Sequence, residues 1–210
     1  MVTHPDGEPS DFELLRRWQQ GDAASGNALV ARHYGSVRRF FDLRLNRLSE
    51  DLTQRTFLAC VEQLDRGAPS SFRAYLFGIA RKQMLMHLRK EHRADRAMQF
   101  EKESTVMGTS LTGVFAKRRE QYFLLLVLVG LPTDLVHTVQ LYYWEGMTTV
   151  EIGEATETSA STVASRLARA RELLREGLSR TAMPAPIRAS VLGDLEAWTR
   201  SLTQPVPPQR

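Results

Sequence analysis

The stretch that decides the fold runs from Leu141 to Arg175 and reads LYYWEGMTTVEIGEATETSASTVASRLARARELLR. Two sets of apolar residues recur in it at helical spacing, and the second set has intervals of four, three and four residues. The first set is Val150, Ile152 and Ala155, and the second is Val163, Leu167, Ala170 and Leu174. Only residues 156–158 separate the two predicted helices, and Ser159 stands where the second helix needs an N-cap. The pattern predicts a helix-turn-helix.

The polar side of the second predicted helix carries hydroxyl and guanidinium groups. The side chains expected to project outward are Ser165, Arg166, Arg169 and Arg171. In a DNA major groove, arginine can chelate guanine, and serine can donate or accept at a base edge or a phosphate. Periodicity alone fits an ordinary amphipathic helix with a solvated basic face equally well.

The rest of the chain has the same helical character. Spacings of three and four recur through most of it and almost no segment alternates with period two, so we predict an all-α fold. For 210 residues that are 42% hydrophobic, we expect two small helical domains joined by a flexible linker, the second containing the helix-turn-helix. The predicted boundaries are 10–96 for the first domain, 97–117 for the linker, 118–180 for the second domain and 181–210 for a C-terminal extension.

Composition narrows the function classes. The net charge of +4 favours a polyanion partner only mildly. Cys60 is the only cysteine, which excludes an intramolecular disulfide and argues against a cysteine-based metal cluster. The chain has no run of 18 apolar residues and no signal-peptide core, so we expect a cytoplasmic protein without membrane insertion. It shows no phosphate loop, nucleophile elbow or paired-carboxylate motif, so we expect no enzyme, cofactor or metal.

Residues 146–154 (GMTTVEIGE) and 159–171 (SASTVASRLARAR) resemble the C-terminal promoter-reading domain of bacterial RNA polymerase sigma factors, most closely the extracytoplasmic-function (ECF) group. Two N-terminal segments resemble the same family in the correct order. Residues 51–58 (DLTQRTFL) are similar to the segment that docks on the polymerase clamp helices. Residues 72–90 (FRAYLFGIARKQMLMHLRK) are similar to the helix that holds the opened minus-10 strand. The resemblance covers roughly residues 12–178.

This resemblance implies a factor that binds core RNA polymerase through its clamp helices and flap, recognises two promoter elements and opens the DNA. The implied minus-35 contacts are Ser159, Thr162, Ser165, Arg166, Arg169 and Arg171. The implied minus-10 contacts are Ser70, Ser71, Phe77, Arg81, Lys82, Arg89, Lys90 and Arg93. The implied polymerase contacts are Asp51, Leu52, Gln54, Arg55 and Phe57. Besides polymerase and promoter DNA, the family resemblance leaves an anti-sigma factor open as a partner.

Several positions depart from the family pattern. Arg55 stands where an acidic residue is common, Lys82 where asparagine is frequent, His87 where aspartate is frequent, Glu157 at the turn glycine, and Ala164 where a basic residue is usual. A non-glycine residue at the turn would be strained by about 1 kcal/mol or more if its φ is positive. Because Ala164 replaces the usual basic residue, Ser165 and Arg169 are the best candidates for reading the upstream element.

Two other functions fit parts of the sequence. A stand-alone helix-turn-helix regulator would bind DNA without polymerase, and an interaction protein would sequester another factor through its amphipathic helices. The segment 51–57 favours the sigma factor, because an operator-binding protein has no use for a clamp-docking helix.

The C-terminal extension carries one apolar stripe at helical spacing: Ile187, Val191, Leu195, Trp198 and Leu202. Such a stripe predicts an amphipathic helix. The helix could pack on its own domain, or it could make a regulatory contact with a partner protein or with the chain's own DNA-binding surface.

Overall fold

The computed structural model describes residues 9–63, 71–98 and 119–202, with the backbone alone for 91–98 and 119–120. Every regular element within these ranges is helical, which confirms the predicted all-α class. Within the described ranges the chain divides into two compact units, one in residues 9–98 and one in residues 119–202, with residues 154–157 grouped with the first. Most of the predicted linker, residues 99–117, lies outside the described ranges. No helix in those ranges combines the length and apolar character that a bilayer crossing requires.

In the described residues, the first unit has four helices and a short 3₁₀ turn. The helices are α1 (Asp11–Gln19), α2 (Ala23–Leu45), α3 (Ser49–Gln63) and α4 (Phe72–Met98), and the turn is Asn46–Leu48. Ser10 caps α1 by accepting a hydrogen bond from the Glu13 amide at 3.3 Å. Asp22 caps α2 in the same way, through the amides of Ala24 and Ser25.

The core of the first unit lies between the apolar faces of α2, α3 and α4. Its largest fully buried side chains include Phe40, Phe41, Leu76 and Phe77. The rings of Phe40 and Phe77 meet edge to face with centroids 5.7 Å apart, an arrangement that aromatic pairs prefer. Helix α1 is tied to α2 by Asp11, whose Oδ2 lies 2.8 Å from Nε2 of His33.

The second unit contains the helix-turn-helix. Its helices are α5 (Arg119–Val129), α6 (Thr133–Val139), α7 (Thr149–Thr156), α8 (Ala160–Arg180), α9 (Ala185–Gly193) and α10 (Leu195–Ser201), and α6 runs into a π-helical turn, Gln140–Trp144. The predicted apolar stripe of α8 is buried from Val163 to Leu174, which confirms that this side faces the core, and Leu178 continues it.

The C-terminal extension forms two short helices rather than the single predicted one. The break falls at Asp194, whose φ of −140° and ψ of 67° are not helical and whose side chain caps α10. Both helices pack on the second unit. The indole Nε1 of Trp144 donates to the carbonyl of Thr199 at 3.0 Å, and Gln121 donates to the carbonyl of Ser201 at 3.1 Å. Packing on its own domain is thus the arrangement that the structure contains.

Candidate nucleic-acid interface

The turn between α7 and α8 has the geometry of a tightly closed helix-turn-helix. It comprises residues 157–159, one position later than the spacing predicts. Ser159 adopts an extended conformation, and its hydroxyl accepts a hydrogen bond from the Thr162 amide at 3.1 Å, so the predicted cap is confirmed. The Thr158 amide donates to the carbonyl of Gly153 at 2.9 Å. A Cβ on Gly153 would lie 2.7 Å from the Thr158 oxygen, so this close approach requires glycine.

Glu157 occupies the left-handed region of the turn. Its φ is +56°, and it is the only non-glycine residue with positive φ in the described part of the chain. The positive φ that was the condition for strain at this position is therefore present. The turn keeps its left-handed conformation even though a side chain is present.

The outward face of α8 carries a small polar set at helical spacing. Thr162, Ser165 and Arg169 are exposed and lie three and four residues apart, opposite the buried stripe. The Arg169 side chain is 60% exposed, and its Nη1 is 3.0 Å from Oε2 of Glu172. An exposed pair of this kind is weak enough for a phosphate or a guanine to replace the carboxylate.

The two other arginines of the predicted set do not project outward, so that expectation is wrong for Arg166 and Arg171. Both flank the buried stripe and reach back over their own unit. Arg166 is 21% exposed and pairs with Asp134 of α6 at 3.5 Å. Arg171 donates from Nε to the Tyr143 hydroxyl at 2.8 Å and lies 3.1 Å from a carboxylate oxygen of Glu196 on α10.

The tyrosine that holds Arg171 remains a neutral acceptor. Burial raises the pKa of Tyr143 above its ordinary value, and the hydrogen bond from Arg171 lowers it by less. Arg200 stacks over the same ring with its guanidinium 5.5 Å from the centroid. Arg171 is therefore part of the packing between α8 and the C-terminal extension.

Helix α4 presents the second basic surface. Lys82, Arg89 and Lys90 are exposed on one side of the helix, and Arg81 is half-buried. The Ser71 hydroxyl lies 3.4 Å from the Ala74 amide, at the start of the helix. Ser70 and the side chain of Arg93 lie outside the described residues.

Phe77 is wrong as an exposed ring for DNA, because it is fully buried against Phe40. The phenol of Tyr75 donates to the carbonyl of Cys60 at 2.9 Å, and burial raises its pKa to about 12. Burial likewise raises the pKa of the Cys60 thiol to about 12, so this thiol is a structural group. Phe77 and Tyr75 thus pack α4 against its neighbouring helices.

Helix α3 carries the predicted polymerase contacts on two different sides. Asp51, Gln54 and Arg55 are exposed on one side, where Arg55 pairs with Asp51 at 3.0 Å. Leu52 and Phe57 point into the core, so their prediction as surface contacts is wrong.

Sequence reasoning also missed Leu58, which is 59% exposed beside the polar face of α3. The signal was available in the spacing, because Leu58 follows Gln54 by four residues and Arg55 by three. The polar face of α3, defined by Asp51, Gln54 and Arg55, therefore has an apolar member.

The fold and these surfaces define a class: an all-helical DNA-binding protein with a helix-turn-helix in its second unit and a basic helix in its first. Comparison with known proteins narrows the class. Residues 29–94 match the family model described as Sigma-70 region 2, and residues 123–174 match the one described as Sigma-70 region 4. Together the two matches cover more than half of the chain. The chain belongs to the sigma-70 family of RNA polymerase sigma factors, in the ECF group.

Individual relatives agree with this family. The chain is 27% identical over 177 residues to the ECF RNA polymerase sigma-E factor of Haemophilus influenzae, an alignment covering 79% of this chain and 93% of the relative. In fold it is similar to the sigma factor RpoE crystallised with the anti-sigma factor NepR from Bartonella quintana. That likeness has a TM-score of 0.58 at 23% identity and covers 73% of this chain and 96% of the other. The function is that of a sigma factor, which binds core RNA polymerase and promoter DNA and directs transcription initiation.

Proposed function

We propose that the two units divide promoter recognition between them. The first, residues 10–96, docks on core polymerase through α3 and holds the opened minus-10 strand on α4. The second, residues 118–180, reads the minus-35 element through α8, and residues 97–117 connect the two. The observation that carries this assignment is that each unit exposes polar or basic side chains on one helix face, while the opposite face of that helix is buried.

Reading of the minus-35 element is assigned to Thr162, Ser165 and Arg169. They stand at spacings of three and four on the exposed side of α8, and the capped N-terminus at Ser159 adds backbone amides that favour a phosphate. Arg166 and Arg171 support the reading helix from its flanks. Arginine bidentate to guanine supplies about 1–3 kcal/mol of base discrimination, so Arg169 is expected to carry most of the specificity.

Docking on polymerase is assigned to the polar face of α3 together with Leu58. An exposed leucine beside three polar side chains resembles a small contact with an apolar centre and a polar rim. The experiment is gel filtration of the full chain with core polymerase at low salt. Wild-type protein should co-elute with the polymerase, and Leu58→Asp should not.

The matched control for this experiment is Ala28→Asp, which adds the same charge at an exposed position of α2. It should co-elute as the wild type does. If Leu58→Asp co-elutes as well as Ala28→Asp, the α3 surface does not dock on polymerase. If the wild type itself fails to co-elute, polymerase binding by this chain is refuted.

The proposal also covers catalysis, cellular location and an anti-sigma partner. The polymerase carries out the chemistry, so the chain itself catalyses no reaction, and it acts in the cytoplasm, where its polymerase is. A protein similar in fold is bound to an anti-sigma factor, and we include a partner of that class. Such a partner should prevent co-elution with core polymerase in the same experiment.

A further inference from the structure

Met86 is exposed on α4 to an extent that the packing of the first unit does not explain. Its side chain is 66% exposed, the highest value among the large apolar side chains exposed in the described residues. Leu58 follows at 59% and Val150 at 58%. Because a methionine exposed in the middle of a helix adds little hydrophobic free energy to folding, its exposure points to a contact with a partner.

The surroundings of Met86 on the helix are cationic. At about 100° per residue, Lys82, Arg89 and Lys90 all lie within about 60° of Met86 around the helix axis. All three are exposed. From residue 72 to residue 90 the sequence of α4 contains no acidic residue. Met86 is thus the apolar centre of a face whose other exposed members are positively charged.

We infer that Met86 contacts the face of an unstacked base in the opened promoter strand. A single strand presents what this face would bind, namely flat apolar bases along a line of phosphates. Lys82 and Lys90 are eight residues apart, or about 12 Å along the helix, which is long enough for the two side chains to contact different phosphates of one strand. The thioether of methionine is polarizable and packs well against aromatic rings. The inference rests on the proposed role of α4 in holding the strand.

A protein surface is the less suitable occupant. It would need acidic groups arranged around one apolar pocket to match three cations around one methionine. The other large apolar side chain exposed in the described residues of the first unit, Leu58, lies next to both an acid and a base, as protein contacts commonly do. The charge distribution therefore favours a nucleic acid strand at Met86.

The test compares binding to strands that differ only in their bases. The probes are a fluorescein-labelled 12-nucleotide single-stranded DNA of mixed sequence and a strand of the same length whose central nucleotides are abasic, so that its phosphates remain. Binding of the full chain is measured by fluorescence anisotropy at several salt concentrations. Met86→Ala should weaken binding to the base-bearing strand about threefold to tenfold and leave binding to the abasic strand unchanged.

Two further variants distinguish the possible causes. Met86→Leu keeps an apolar contact, so its affinity for the base-bearing strand should fall less than that of Met86→Ala. Lys90→Ala should weaken binding to both strands alike. It should also reduce the slope of log K against log salt concentration by about 0.7, the value for one lost phosphate contact on a single strand.

Three outcomes would overturn the inference. One is a change of less than twofold for Met86→Ala on the base-bearing strand, and another is an equal loss on both strands. The third is weakened co-elution of Met86→Ala with core polymerase and unchanged strand binding, which would place a protein at Met86. If the wild type binds neither strand, the proposed strand-binding role of α4 fails as well, which distinguishes that failure from the others.

Discussion

Replacing Glu157 by glycine should stabilise the helix-turn-helix, because Glu157 holds a φ of +56° in its turn. A residue with a Cβ in this region costs about 1–2 kcal/mol relative to glycine. Glycine also makes the unfolded chain more flexible, which reduces this gain in stability by about 0.4–1 kcal/mol. The net gain is about 0.5–1 kcal/mol. For a domain of this size that raises the melting temperature by about 2–8 °C.

The assay is differential scanning calorimetry of the full chain, with two control variants. Glu157→Ala removes the carboxylate but keeps a Cβ at positive φ, so its melting temperature should match that of the wild type. Glu145→Gly places glycine at a residue whose φ is −101°, where there is no strain to relieve, so it should not stabilise. If Glu157→Ala stabilises as much as Glu157→Gly, the carboxylate and not the backbone is responsible, and the strain argument is refuted.

Three other predictions follow from the site and the packing. Arg169→Ala should weaken binding to a minus-35 duplex by about fivefold to 150-fold without lowering the melting temperature, whereas Arg166→Ala should lower the melting temperature; the reverse pattern would contradict the assignment of the two arginines. Burial raises the pKa of Asp11, but hydrogen bonds from His33 and a neighbouring arginine outweigh it and hold that pKa below its ordinary 3.8. The stability that ionised Asp11 provides is therefore present above about pH 4 and is lost as the pH falls through the lowered value. Urea unfolding from pH 3 to 7 should show Asp11→Asn converging on the wild type at the acid end, and a constant difference would contradict this. Deleting residues 183–210 should lower the melting temperature of the second unit; an unchanged temperature would mean that the extension contributes nothing to its stability.

The sequence predicted the helices and their buried faces reliably, because both depend on local properties. Spacings of three and four identify the side of α8 that faces the core, and the hydroxyl of Ser159 identifies its first turn. The positive φ of Glu157 could be anticipated only because the family usually places glycine there. In each case the deciding residues lie within a few positions of each other.

The sequence predicted the site residues less well, because exposure depends on which helices pack together. Leu52 and Phe57 belong to the segment that we propose docks on polymerase, yet their own side chains are buried, and Leu58 is the exposed apolar residue of the segment. Arg171 is a residue type that often contacts DNA. In the fold, however, it hydrogen-bonds to Tyr143 and pairs with Glu196, both of which are distant in the chain.

The sequence by itself thus determined the family, the two-unit helical organisation and the position of the reading helix, because motifs and helical periodicity depend on residues that are close together in the sequence. Only the tertiary structure decided which arginines of that helix are available to DNA, and where the C-terminal extension packs. The reason is physical. A guanidinium at the flank of a helix can turn to solvent or to its own domain, and the partners that decide between the two are brought close only when the chain folds.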